Sequence, residues 1–173
     1  MREIKQDFGK PNPSAPAALC RFAFLIGAWE CEAKVKSANG EWQVFQATWT
    51  GRYILDGYAI ADEYRMADSS GKLIVLGLNL RTYDNTKQIW NLKWLNALTG
   101  TWTDLGSEEL GGVKFERGSI IYGFKEPVAA HAYTRATYTP VSQTRFTWRG
   151  EKSDDGKAWS EFMVIEALRS RGD

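Results

Sequence analysis

The stretch Arg21-Phe22-Ala23-Phe24-Leu25-Ile26-Gly27-Ala28-Trp29-Glu30-Cys31 decides the fold. It is apolar up to Gly27, and Gly-x-Trp then opens a segment in which apolar and polar residues alternate. A short apolar run ending on Gly, followed by alternation, reads as a helix turning sharply into the first strand of a β-barrel. Trp29 is then the plug at the narrow end of that barrel.

Outward from this stretch, Ala17–Ile26 is a short apolar helix with Pro16 as its first residue. A helix of this length does not stand alone, so it must pack across one end of the barrel. Residues 1–16 are polar and carry Pro11, Pro13 and Pro16, which reads as a tail or a surface strap. Residues 17–170 then form one domain, as the length of 173 residues allows.

After Trp29, turn signals recur about every 8–14 residues, the spacing of consecutive hairpins. Asn39-Gly40 is the strongest of them. Asp56-Gly57, Asp68-Ser69-Ser70-Gly71, Asp84-Asn85, Thr99-Gly100, Gly111-Gly112 and Ser153-Asp154-Asp155-Gly156 mark others. Between them lie about ten extended segments, with 113–117 the weakest candidate. The expected fold is all-β, an antiparallel up-and-down barrel of about ten strands, because closure removes exposed strand edges.

Alternation predicts which side chains face inward. On 88–97, Trp90, Leu92, Trp94 and Asn96 share the ring-bearing, uncharged face and go inside. On 142–151, Phe146 and Trp148 go inside, and Arg145, Thr147 and Arg149 outside. On 158–169, alternation alone leaves both faces open: Trp159, Glu161, Met163, Ile165, Ala167 and Arg169 against Ser160, Phe162, Val164, Glu166 and Leu168.

Composition limits function. Lys and Arg number 22 against 21 Asp and Glu, so the surface exerts no long-range pull on nucleic acid or anionic membrane. The N-terminus shows no apolar signal core and no run reaches membrane-spanning length, so a cytoplasmic protein with two reduced thiols, Cys20 and Cys31, is expected. One His and two separated Cys provide no metal-ligand spacing. Eight Trp, seven Tyr and eight Phe are the outlier, and such rings fill a wide barrel or line an apolar pocket.

Gly27-Ala28-Trp29 after an apolar helix resembles the calycin signature of lipocalins and fatty-acid-binding proteins. Leu55-Asp56-Gly57, Arg81-Thr82-Tyr83-Asp84 followed by Trp90, and Trp148 followed by Ser153-Asp154-Asp155-Gly156-Lys157-Ala158-Trp159 resemble, with Arg169, a bacterial lipocalin-like family of uncharacterised function. The resemblance implies a barrel of about ten strands in which Trp29 packs against Arg169, with Gly27, Trp29 and Arg169 as a structural signature. It also puts the odd-numbered set of the last strand inside. Nitrobindin-like relatives hold haem through a His on the last strand. Here that strand carries Glu161, Met163 and Ile165, and the single His is His131, so no cofactor is expected.

Two readings of the cavity remain. In the first, Trp90, Trp94, Trp102, Tyr122 and Trp148 line a pocket for a small, partly apolar molecule carrying a carboxylate or carbonyl. His131, Tyr133 and Arg135 join them if the polar face of 129–138 points inward; the other possibility is that this face is solvated. In the second, the same cavity runs acid–base chemistry of an isomerase or cyclase kind on His131, Tyr133 or Glu161. A barrel filled by its own rings, serving a structural or interaction role, is a third. A homodimer is compatible with all three.

Overall fold

The structure, a computed structural model, describes residues 7–125 and 133–171. The chain forms eleven strands among these residues: β1 Gly27–Lys36, β2 Trp42–Ile54, β3 Ala59–Ala67, β4 Leu73–Asp84, β5 Ile89–Asn96, β6 Thr101–Leu105, β7 Val113–Glu116, β8 Ser119–Phe124, β9 Tyr133–Ser142, β10 Arg145–Ser153 and β11 Ser160–Arg169. All belong to one antiparallel sheet in the order β6-β5-β4-β3-β2-β1-β11-β10-β9-β8-β7. Every neighbour but one is the next strand in sequence. The exception, β1 against β11, joins the two ends of the chain, with Trp29 opposite Arg169.

The sheet curls into a half-barrel whose ends approach each other. The Gly106 N–H, just after β6, donates to the Gly123 carbonyl of β8 at 3.0 Å. The doubtful segment at 113–117 is a real strand, β7, paired only with β8.

The helix expected at 17–26 is a 3₁₀ helix over Ala17–Leu25, and Pro16 stands just before it rather than as its first residue. Leu19, Phe22 and Leu25 are buried against the sheet. The chain then reverses at Gly27, whose φ of 121° lies in the region open to glycine. Gly51, opposite Gly27 on β2, is the matching requirement. A Cβ there would lie 2.1 Å from the Leu25 carbonyl oxygen, so only Gly lets the helix end cross the strand so closely.

Trp29 closes this end as expected. Its Nε1 donates to the Leu25 carbonyl at 3.1 Å, and the Arg169 guanidinium lies 4.2 Å from its ring centroid. Arg169 also donates to the carbonyls of Ile26 and Gln143, each at 3.0 Å. Such a cation–π contact contributes ~0.5–2 kcal/mol. Residues 7–16 are a strap: Phe8 accepts from Tyr53 N–H at 2.8 Å, and Asn12 N–H donates to Gly57 at 3.2 Å.

The Ser153–Trp159 motif is a turn device. The Asp155 carboxylate accepts from the N–H groups of Ala158 and Lys157 and from the Ser153 hydroxyl. These bonds, the backbone ones foremost, hold its carboxyl below the usual range. Both cysteines are free. Burial pushes the Cys31 thiol up to about 12, which keeps it protonated and inert.

Candidate functional site

The interior divides into layers along the barrel. The lowest is the aromatic plug. Phe22 meets Trp90 edge-on at 4.8 Å, Trp90 meets Tyr83 at 5.2 Å, and Trp29 meets Phe146 at 4.8 Å. Trp90 therefore packs under the helix and is not part of the cavity wall.

Above the plug lies a buried polar layer. Asp62 of β3 and Arg81 of β4 are both fully buried and form a two-point ion pair, Nε to Oδ1 at 2.6 Å and Nη2 to Oδ2 at 3.1 Å. Oδ2 also accepts from Trp49 Nε1 at 2.9 Å and Asn79 Nδ2 at 2.7 Å. Four donors on one carboxyl group match only its ionised form. The Arg81 Nη2 reaches on to the Tyr138 hydroxyl at 2.9 Å, and Tyr122 and Tyr138 hydroxyls are 3.4 Å apart.

Arg81 Nη1 has no hydrogen-bond acceptor among the described residues, but the guanidinium carbon lies 4.5 Å from the Phe22 centroid and 5.2 Å from that of Tyr138. The unpaired side of the cation thus faces aromatic rings. Burial by itself would lower the Arg81 pKa. Asp62, with Tyr138 and Tyr122, outweighs that and holds it well above its ordinary value. Burial pushes the Tyr138 phenol well up, against the pull of Arg81, so it stays protonated.

Beyond this layer the barrel is hollow. A cavity of about 280 Å³ is lined by fifteen residues, among them Trp49, Trp94, Trp148, Phe124 and Phe162. Its polar groups are Asn79, Asn96 and the phenols of Tyr64, Tyr122 and Tyr138. None of these lining residues carries a charge. Val75 near the start of β4, Asn96 at the end of β5 and Phe124 at the end of β8 place it at the end of the barrel away from the helix.

Why the space exists follows from β9. Its inward residues are Thr134, Ala136 and Tyr138, and the small Ala136 leaves room opposite the rings of β5 and β10. Tyr133, Arg135 and Thr137 occupy the outer face of this strand. Arg135 there pairs with Glu151 at 2.9 Å and stacks over Trp159 at 4.3 Å. Of the two orientations open for the polar face, the outward one holds over the described residues 133–138: inside, the guanidinium would have been stripped of both partners. Tyr133 and Arg135 therefore do not line this inner cavity; with Asp155 and Trp159 they line a separate pocket. His131 lies outside the described residues.

Three further expectations meet the structure differently. Trp94, Tyr122 and Trp148 do line the cavity. Trp102 does not: it is 51% exposed on the outer face of β6, because Thr103 and Leu105 are the inward residues. Glu161 faces outward too, and its carboxylate binds Arg149 at 2.8 Å. A bulge at Gly150/Glu151 leaves Phe162 without a partner on β10 and turns its ring into the cavity. The odd set of β11 is inside only from Met163 onward.

The Asp62–Arg81 pair did not emerge from alternation read strand by strand. The signal was present, since Asp62 is the one charge among Ile60, Tyr64 and Met66, and Arg81 the one charge among Val75, Gly77 and Asn79. Two opposite lone charges on the inner faces of adjacent strands are a pairing hypothesis only when the two strands are read together.

No family model matches the chain, and no curated protein matches it in sequence. Among solved structures it is similar to Rv2717c from M. tuberculosis, with a TM-score of 0.62 at 10% identity over 91% of this chain and all of that one. It is also similar to the S-type phycobiliprotein lyase CPES from Guillardia theta, with a TM-score of 0.57 at 9% identity over 91% of this chain and 95% of that one. The meander of strands, the Trp29–Arg169 closure and these two likenesses together establish the fold as a lipocalin-like barrel.

Proposed function

We propose that the protein binds a small, largely apolar molecule in the barrel cavity. The observation that carries this reading is the cavity itself: about 280 Å³ of space walled by aromatic rings, with a few polar fixtures at its floor. That is close to the lower end of the volumes, about 300–1,000 Å³, in which small ligands are held. A barrel filled by its own rings is the weaker reading, because Ala136 leaves the space open. Acid–base chemistry on Glu161 or Tyr133 is weaker also, because both face outward, and the Asp62 oxygens are engaged by four donors.

N-phenyl-1-naphthylamine, an uncharged dye that brightens in apolar surroundings, tests the proposal. Its emission should rise and shift to the blue on adding the protein. Ala136→Phe, which fills the cavity from β9, should weaken dye binding by at least ~10-fold while costing ~1–3 kcal/mol of stability from overpacking. Equal binding by Ala136→Phe, or no binding by the natural chain, would remove the cavity from consideration.

We further propose that two copies associate through the outer face of β4–β6. Leu78, Leu95 and Trp102 are cross-strand neighbours in one row there, and Ile74, Leu76 and Leu80 extend it along β4. This face is aliphatic along β4. Glu63 and Arg65 border it on β3, and the ion pair of Lys93 with Asp104 lies within it, beside Leu80 and next along β5 and β6 from Leu95 and Trp102. Charge on the face is balanced, one acidic and one basic residue on β3 and a mutually neutralised pair on β5 and β6, so a second copy can cover the apolar row without a net like-charge clash. Sedimentation velocity at tens of micromolar should show a dimer, and Trp102→Lys a monomer. A natural chain that stays monomeric throughout that range excludes this arrangement.

A further inference from the structure

Taking the cavity as a binding site, as proposed above, we infer that its ligand is an uncharged molecule carrying a carbonyl group, whose oxygen accepts the one phenolic proton that Tyr122 and Tyr138 leave undonated.

The inference is a count of protons. The Tyr138 oxygen accepts from Arg81 Nη2 at 2.9 Å, so the cation uses one of its lone pairs. The Tyr122 hydroxyl donates to the Tyr138 oxygen at 3.4 Å. The pair has two protons and uses one of them internally. Tyr122 is the donor, so the Tyr138 proton is the one left over. Both residues are buried, and both line the cavity. A buried donor without an acceptor is costly, so a ligand oxygen placed there gains more than it would in water. The bond from the Arg81 cation polarises the phenol and makes the leftover proton a stronger donor.

Charge decides what kind of acceptor is suited. Among the described residues Arg81 is the one cation hydrogen-bonded to the phenols, and the Asp62 carboxylate already neutralises it through two bonds. The described residues that line the cavity are all uncharged. A carboxylate placed here would lose its hydration and find no cation of its own. A ketone, aldehyde, ester or amide carbonyl avoids that cost and accepts the same proton. The surrounding rings of Trp49, Trp94 and Trp148 favour a flat, unsaturated frame on that carbonyl.

Three probes of one shape separate the possibilities: 2-acetylnaphthalene, 2-ethylnaphthalene and 2-naphthoate, titrated against the natural chain by calorimetry at neutral pH. The ketone should bind ~10-fold tighter than the ethyl compound, and the carboxylate more weakly than either. In the Tyr122→Phe/Tyr138→Phe variant the ketone's advantage should vanish while the ethyl compound still binds. The infrared carbonyl band of the ketone, measured on the natural chain alone, should move to lower frequency on binding, which keeps the test independent of how well the double variant folds. Equal binding of ketone and ethyl compound, with no band shift, overturns the carbonyl inference and leaves cavity binding standing. Tightest binding by the carboxylate overturns it too. Failure of all three to bind overturns the cavity reading, and the inference with it.

Discussion

Asp62→Ala should cost about 3–5 kcal/mol of folding stability. For a chain of this size that is a fall of ~10 °C in the melting temperature. The reason is that the loss is uneven. Asp62 and Arg81 share a buried, two-point ion pair, and Trp49 and Asn79 donate to the same carboxylate. Removing the carboxylate leaves a fully buried guanidinium whose Nη1 already lacks an acceptor among the described residues. Two further donors, the Trp49 indole and the Asn79 amide, lose their acceptor in the same step.

The partner experiment is Asp62→Leu with Arg81→Met. Taking out both charges removes the desolvation problem that the single change creates. The double variant should therefore unfold at a higher temperature than Asp62→Ala, although it removes more native contacts. Thermal and urea unfolding of the single and double variants measure this directly. Purely additive losses, with the double variant the least stable, would show that the two charges are not coupled.

The position of this pair explains how far the chain can be understood from its residues taken in order. Gly27 and Trp29 mark the helix-to-strand reversal, and the expected contact of Trp29 with Arg169 is present. The alternation of β5 and β10 gave the inward residues correctly, because each of those strands keeps its rings and its charges on opposite faces. Failures came where two strands must be read together. The bulge opposite Gly150 changes which residues of β11 face in, and nothing within 158–169 marks it. On β9 both faces were plausible, and the choice is made by Glu151 on β10 and Trp159, both of which Arg135 meets on the outside. On β6, Trp102 looked like a wall residue because rings usually go in, but the outer row with Leu78 and Leu95 gives it apolar neighbours there. The cavity is a negative feature, set by the small side chain of Ala136 opposite large ones, and small residues are the least conspicuous in a sequence.

Trp29→Ala should be as damaging as Asp62→Ala, at about 3–5 kcal/mol, but by another route. Trp29 is 2% exposed, and its ring is enclosed by Phe146 on one side and the Arg169 guanidinium on another. Truncation leaves a void that the neighbouring strands cannot close, since β1 is held in register by β2 and β11. It also leaves the Leu25 carbonyl without its donor at the point where the helix ends. Trp29→Phe keeps most of the ring and loses the N–H, so it should cost less, ~1–3 kcal/mol. Arg169→Lys keeps the charge and gives up the planar fork that reaches both Ile26 and Gln143, so it should also destabilise, though less than Trp29→Ala. The plug and the cavity lie towards opposite ends of the barrel, with Trp49, the cross-strand neighbour of Trp29, as the wall residue between them. At a temperature where Trp29→Ala remains folded, it should therefore bind N-phenyl-1-naphthylamine within ~2-fold of the natural chain. A folded Trp29→Ala protein that has lost dye binding would mean that Trp49 transmits the state of the plug to the cavity, and that Trp29 acts on the ligand as well as on the fold.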